Sequence, residues 1–313
     1  MIYQFFTCDV FTKHAFRGNQ LAVIPEANGL NDEQMQQIAR EFNFSETTFV
    51  FPPEHGQTNR VKIFTPTSEV PFAGHPNLGT AFTLYQNGYL GNMQIPLKIT
   101  FEEVAGLVPI SITQEEGGHL LFELQAPKSL ILGAEIDAET VSRALCLTAL
   151  DIETRRHGPR LASVGLPFLM VELKDREQLE RARPNLEAFQ ELQAQGVCML
   201  HLYVWSEGEF DLRTRMFAPL DGVPEDPATG SANCALAGLL AYLDESVDRD
   251  YEWRVAQGFE MGRPSNLRAR ARKQNGMVGA TWIGGNCVQV AATTLFCFLA
   301  LALRLLGLPI SNP

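Results

Sequence analysis

The chain has 313 residues, enough for two domains of ordinary size. Its 45 % hydrophobic and 19 % charged residues are normal proportions for a globular protein. The formal net charge of −11 argues against nucleic-acid binding, which needs clustered Lys and Arg.

From the N-terminus, Met1 to Asp9 shows neither a basic n-region nor an apolar h-region. No export signal is expected, and a cytoplasmic location with reduced thiols follows as the expectation. Ile2–Phe6 and Ala22–Ile24 read as short strands, separated by a loop from Phe11 to Asn19. Asn31 reads as the N-cap of a helix with Asp32 and Glu33 in its first turn and Met35, Ile38 and Ala39 at helical spacing. Ser45 to Phe51 turns β-rich, and Val61–Phe64 is another strand. A helix from His75 to Asn87 stops at Gly88, and a second runs from Ser231 to Leu243. Both are apolar on nearly every side, so both are expected to be buried. Between them, Arg155–Arg160 reads as a loop and Lys174 to Gln195 as a polar surface helix. Arg268, Arg270 and Arg272 alternate and fall on one face of a strand, read as a solvated face rather than a phosphate site.

The six cysteines, at 8, 146, 198, 234, 287 and 297, form no Cys-x-x-Cys pair and no Cys/His set at metal spacing, so no metal is expected. Ala291 to Leu308 is apolar but interrupted by Arg304 and Gly307, with Pro309 following. A membrane span needs about 20 apolar residues, so a buried terminal helix or an altered C-terminus is expected instead of an anchor.

The chain also repeats itself. Phe64-Thr65-Pro66, Val70-Pro71, Gly74-His75-Pro76-Asn77 and Ala81 are matched by Phe217-Ala218-Pro219, Val223-Pro224, Gly230-Ser231-Ala232-Asn233 and Ala237. The second copy has three extra residues within Glu225 to Thr229. Duplicated halves usually face each other across a cleft. Each half reads as strands wrapped around one central helix, unlike a doubly wound sheet or a parallel barrel.

Gly at a helix start lets other groups approach the backbone, and the unpaired N–H groups there bind anions. Gly74 and Gly230 are therefore candidates to hold a substrate carboxylate, although simple packing explains such glycines equally well. Glu46 opens a strand, where a lone Glu is ordinarily solvated. His75 at a helix N-terminus is expected to be neutral, as a site residue or as a hydrogen-bonded core His. Asp226 reads as a site residue or as a turn residue.

Together these residues resemble the PhzF family of phenazine-biosynthesis isomerases. The matching motifs are Asp9-Val10-Phe11-Thr12 with Gly18-Asn19, Phe44-Ser45-Glu46-Thr47, Phe64-Thr65-Pro66, Gly74-His75-Pro76, Phe217-Ala218-Pro219 and Glu225 through Asn233. Gln257-Gly258 and Met261-Gly262-Arg263-Pro264-Ser265 match as well, so the resemblance spans residues 1–290. It implies an α+β fold like that of diaminopimelate epimerase: two pseudo-symmetric domains, each a β-barrel-like sheet around a central helix. The expected domains are 1–128 and 129–290, with 291–313 as an atypical apolar tail in place of the family's last strand. The resemblance further implies a homodimer that needs no cofactor or metal. It makes Glu46 the acid/base, gives His75 and Asp226 catalytic support, and places Gly74, Gly230, Ser231 and Asn19 in the substrate site.

Diaminopimelate epimerases carry a Cys at each helix start. Here those starts carry Gly74-His75 and Gly230-Ser231, and Cys234 has no partner in the first half. The expectation is therefore a cofactor-independent isomerase that moves a proton within a small carboxylate, with cyclic amino-substituted carboxylates among the candidates. A non-catalytic small-molecule binder of the same fold, or an amino-acid epimerase or racemase, is the alternative. Neither nucleic acid nor a membrane is an expected partner.

Overall fold

The computed structural model describes residues 2–296. The first half runs β1 (Ile2–Val10), β2 (Asn19–Ile24), α1 (Asp32–Phe42), β3 (Glu46–Phe51), β4 (Asn59–Phe64), β5 (Glu69–Val70), α2 (Gly74–Gln86), β6 (Leu97–Glu103), β7 (Gly106–Gln114) and β8 (Leu120–Gln125). Next come β9 (Ile131–Glu135) and α3 (Ala138–Ala144). The second half runs β10 (Arg160–Ser163), β11 (Pro167–Glu172), α4 (Arg176–Arg181), α5 (Leu186–Gln193), β12 (Leu200–Trp205), β13 (Leu212–Ala218), β14 (Val223–Asp226), α6 (Gly230–Leu243), β15 (Arg249–Gln257), β16 (Ser265–Gln274) and β17 (Met277–Gly285), and β18 (Cys287–Phe296) closes the described chain.

The duplication seen in the sequence is a duplication of strand pairing. In the first half β1–β2 is antiparallel, β2–β3 parallel, β3–β4 antiparallel, β4–β6 parallel, and β6–β7–β8 antiparallel. In the second half β10–β11, β11–β12, β12–β13, β13–β15 and β15–β16–β17 repeat those orientations in the same order. Antiparallel pairing of the equivalent strands β8 and β17 joins the halves, with Trp282 opposite Gln125. Each half also receives a strand from the other's end: β9 pairs with β10, and β18 pairs with β1.

That pairing corrects one expectation. Residues 291–296 are not an atypical tail but the end of β18, held along β1 from Val10 opposite Cys287 to Ile2 opposite Phe296. Residues 297–313 lie outside the described residues. Among the described residues no helix is long and apolar enough to cross a membrane.

Each sheet encloses a helix. Every residue of α2 from Gly74 to Leu84 and of α6 from Gly230 to Ala241 is buried. A helix surrounded by sheet must be apolar all round, so neither shows a polar face. Gly79 makes room for this wrapping, because a Cβ there would lie 2.5 Å from Leu21 Cδ2 and 2.8 Å from Val10 Cγ2. α1 packs instead on the outside, with Met35, Ile38 and Ala39 against Ile24, Phe49 and Phe64. Asn31 caps it as expected, in a reciprocal box with Gln34.

The expected helix from Lys174 to Gln195 is two helices, α4 and α5. Pro184 lacks an N–H and cannot sit inside one helix, and Asp175 and Asn185 each cap a new start. Nor is it only a surface element, since Leu179, Ala188, Phe189 and Leu192 are buried. Arg268, Arg270 and Arg272 do share a face of β16, but as a ladder of ion pairs with Glu252, Glu123 and Asp250 at 2.6, 3.1 and 2.7 Å.

Candidate active site

The two central helices meet end to end. A Cβ on Gly74 would lie 3.2 Å from Gly230 Cα and 3.2 Å from Ser231 N. A Cβ on Gly230 would lie 3.4 Å from Gly74 Cα. Only glycine lets two backbones approach so closely. The helix caps, Ala73 and Thr229, donate no side-chain acceptor to either end. The N–H groups of both starts, each at the positive end of its helix, therefore converge with no side-chain cap on either. The ends are braced alike: Asn77 Nδ2 donates to Ala73 O at 2.9 Å, and Asn233 Nδ2 to Thr229 O at 3.0 Å. The Ser231 hydroxyl makes no hydrogen bond among the described residues.

Glu46 is the first residue of β3, placed beside Leu21 by the parallel β2–β3 register. Its Oε2 lies 3.5 Å from His75 Nδ1 and has no hydrogen-bond partner among the described residues. Burial, reinforced by the charge of Asp226, pushes Glu46 up to about 8. His75 Nε2 lies 3.3 Å from the carbonyl of Gln20, which accepts only if Nε2 carries the proton. Nδ1 is then the lone pair facing Glu46. Burial lowers His75 to about 3, so the imidazole is neutral, as expected, with burial rather than the helix dipole as the leading cause. The Glu46–His75 contact is thus a neutral acid against a neutral imidazole, not an ion pair.

Asp226 ends β14 beside the helix junction and is not a turn residue. Asn19 Nδ2 donates to Asp226 Oδ1 at 2.9 Å and to the carbonyl of Ala228 at 2.9 Å. An amide nitrogen carries two hydrogens, so these bonds use both. Its 3.4 Å approach to His75 Nδ1 leaves that lone pair open. Ser45 Oγ reaches Asp226 Oδ1 at 3.2 Å, and Thr229 Oγ1 reaches Oδ2 at 2.5 Å. Burial raises Asp226 to about 6, less than Glu46, because these three donors favour its charged form.

The three extra residues of the second repeat bring Asp226 here. In the first half Ile63 pairs with Val70, whereas in the second Met216 pairs with Asp226 while Val223 slips back to Ala218. The insertion thus carries a carboxylate to the place of an apolar side chain. Gln257 clamps it: Nε2 donates to Asp226 O at 2.9 Å and to Thr229 Oγ1 at 3.0 Å. Arg263 fastens the opposite rim, donating to Asp9 Oδ1 at 2.7 Å, Gly18 O at 2.8 Å and Arg17 O at 2.9 Å.

All seven expected site residues therefore gather around the junction of the helix ends. Sequence reasoning does not single out Ser45, Thr229 or Gln257. All three lie in motifs that resemble the family's, Ser45 beside Glu46 and Thr229 beside Gly230, but the sequence assigns them no role; Gln257 reaches the helix start only through folding.

The two halves differ in their acids. Thr47 stands opposite Phe64 in the β3–β4 register, and Leu200 opposite Phe217 in β12–β13. One residue earlier stand Glu46 and Met199, so the acid has an apolar counterpart. Cys234 is no substitute: burial pushes its thiol up to about 12.

The chain matches the PhzC-PhzF family of phenazine biosynthesis-like proteins over residues 8–293. It is 36 % identical over 297 residues to an uncharacterized isomerase of Mesorhizobium japonicum, covering 92 % of this chain and 97 % of that one. It is 33 % identical over 287 residues to the trans-2,3-dihydro-3-hydroxyanthranilate isomerase of Pseudomonas aeruginosa, covering 91 % and 96 %. The solved structure of a PhzF-family protein of Bacillus anthracis superposes with a TM-score of 0.86 at 25 % identity, covering 95 % and 100 %. The chain belongs to the PhzC-PhzF family, and it is an isomerase.

Proposed function

We propose that this isomerase moves a proton within a small unsaturated carboxylate, with Glu46 as the single acid/base. The observation that carries this reading is the environment of Glu46: a buried carboxyl near neutrality, with Oε2 unpartnered, beside two uncapped helix ends. A group of that acidity both takes and returns a proton efficiently at physiological pH.

In this reading the N–H groups at Gly74, Gly230 and Ser231 hold the substrate carboxylate. Ionised Glu46 takes a proton from a carbon next to the π-system. The C–H electron pair enters that system, the double bond shifts, and Glu46 returns the same proton to a second carbon. Nothing is oxidised or reduced, so the step calls for no oxidant or reductant. Met199 occupies the place in the second half that Glu46 occupies in the first, so the second half supplies no matching base, and the proton returns to the face it left. That favours a shift of the double bond over inversion at one carbon. His75 turns its Nδ1 lone pair toward Glu46 and so steadies the proton while Glu46 carries it. Asn19 and Asp226 hold the cleft together, and the negative Asp226 keeps Glu46 basic. The compound named for the Pseudomonas aeruginosa relative, trans-2,3-dihydro-3-hydroxyanthranilate, is the first candidate substrate.

The test is NMR in deuterated water. Wild type and Glu46→Gln are incubated with a panel of cyclic amino- and hydroxy-substituted carboxylates that includes this compound. Product from wild type, with or without label, and none from Glu46→Gln is the expected result. Equal turnover by both overturns the role of Glu46. Binding without product or exchange by wild type supports a non-catalytic binder.

A further inference from the structure

The pseudo-symmetry pairs one more residue of interest. β4 and β6 run parallel with Asn59 opposite Phe101, and β13 and β15 with Leu212 opposite Val255. Asn59 precedes Phe64 by as many residues as Leu212 precedes Phe217, so Phe101 and Val255 are equivalent. Two residues further on, on the same core-facing side, stand Glu103 and Gln257.

In the second half this place holds an amide that organises the start of α6. Gln257 Oε1 accepts from Thr229 N at 3.1 Å and from Asn233 Nδ2 at 2.9 Å, while Nε2 donates to Asp226 O and Thr229 Oγ1. In the first half Asn77 takes the place of Asn233 and is the polar side chain beside Glu103. Both carboxyl oxygens of Glu103 are buried, and neither meets a hydrogen-bond donor in good geometry among the described residues. A buried carboxylate in that state would be costly, whereas a carboxylic acid has the shape of an amide and a hydrogen of its own to donate.

We propose that Glu103 works as a protonated acid in the place of the Gln257 amide, positioning the start of α2, with Gly74 and His75, as Gln257 positions the start of α6. It is a positioning residue outside the reacting set, and the inference does not depend on which substrate the site takes. Burial alone raises Glu103, to about 8, with no charged neighbour acting on it. The charged and titratable groups on the packed elements are otherwise engaged or neutral. Arg60 pairs with Glu54, Glu69 lies near Lys62, Glu102 accepts from the backbone N–H groups of residues 54, 55 and 57, and His75 is uncharged.

The sign of the pH dependence follows. Folded Glu103 keeps its proton up to about 8, while the unfolded chain releases it near 4.5. The native state is thus favoured below 4.5 and loses this share of its stability as pH rises toward 8. Glu103→Gln carries no such proton.

The test uses the full-length chain. Glutamate carboxyl carbons are followed by 13C NMR, with Glu103→Gln assigning the signal. Backbone amides of Gly74 and His75 and the side-chain amide of Asn77 are followed by 15N NMR in wild type, Glu103→Gln and Glu103→Ala. We expect the Glu103 signal to titrate near 8. At pH 6, Glu103→Gln should match wild type at all three reporters, while Glu103→Ala displaces them. Above pH 8 the Asn77 signal should move in wild type and stay in place in Glu103→Gln. Titration near 4.5, or a Glu103→Gln spectrum as displaced as that of Glu103→Ala, overturns the proposal. If Glu103→Ala does not fold, the wild-type titration and the Glu103→Gln spectrum decide alone.

Discussion

Asn19 Nδ2 donates to Asp226 Oδ1 at 2.9 Å, joining residues 207 positions apart and one from each half of the chain. The same nitrogen holds the carbonyl of Ala228, so one side chain ties the first half to the inserted segment before α6. Replacing Asn19 with Ala leaves the buried carboxylate one donor short. A loss of about 1–3 kcal/mol is expected in urea unfolding at pH 7, the usual cost of an orphaned buried polar group. Asp226 should also become a weaker acid, because Asn19 is one of the donors that favour its charge. An unchanged unfolding midpoint would remove Asn19 from the set that closes the cleft.

Glu46 and Asp226 are coupled through charge, and the direction is testable. Asp226 raises Glu46, so Asp226→Asn should make Glu46 a stronger acid and move its titration to more acidic pH. Carboxyl 13C NMR reads this directly. Glu46 also ties stability to pH. Raised from 4.5 to about 8, it keeps its proton in the native state through a window in which the unfolded chain has released it. Stability should fall across that window by about 1.4 kcal/mol per pH unit for this one proton. The slope of wild type relative to Glu46→Gln isolates it, and parallel curves would show that Glu46 is ionised in the folded protein.

Gly74→Ala tests the meeting of the helix ends. The new methyl would lie 3.2 Å from Gly230 Cα and Ser231 N, which are backbone and cannot swing aside. The ends must part by a few tenths of an ångström, moving the N–H groups proposed to hold the carboxylate. A loss of kcat/KM on the order of 100-fold is expected, since small misplacements at a reacting centre carry penalties of that size. Gly79→Ala is the control with a different outcome: its methyl would strike Leu21 and Val10, so it should reduce the melting temperature first. Full activity in Gly74→Ala would mean that the junction is packing and not an anion site.

Arg263 is the cation of an ion pair between the halves. Asp9 is nearly inaccessible, with 4 % of its side chain exposed, and Arg263 keeps 23 %. Arg263→Ala would strand that carboxylate and remove donors from the carbonyls of Arg17 and Gly18, just before Asn19. Breaking a buried pair from one side costs about 3–5 kcal/mol, and the partial exposure of Arg263 argues for the lower end. Denaturant unfolding checks this. The double variant with Asp9→Asn should recover part of the loss, because no charge is then left unpaired.

Much of this architecture could be read from the chain before folding was considered. The repeated Phe, Val-Pro and Gly positions announced two equivalent halves, and all-round apolar composition marked both central helices as buried. Glu46, His75, Asp226 and Asn19 could be named because the short motifs that hold them resemble those of the PhzF family. These signals are local: periodicity, capping residues and spacing act within a few turns of chain. The join between the halves was beyond their reach. That β18 returns to β1, that Met199 stands in the second half where Glu46 stands in the first, and that Glu103 stands where Gln257 stands all depend on strand register. Register is set by which distant strands pair, so the same local sequence is compatible with several partners until the sheets close. The acidities depend on closure too, because burial raises Glu46 and lowers His75 only once both barrels exclude water. Sequence alone thus determined which residues were available for chemistry, and tertiary structure decided their ionisation and their neighbours.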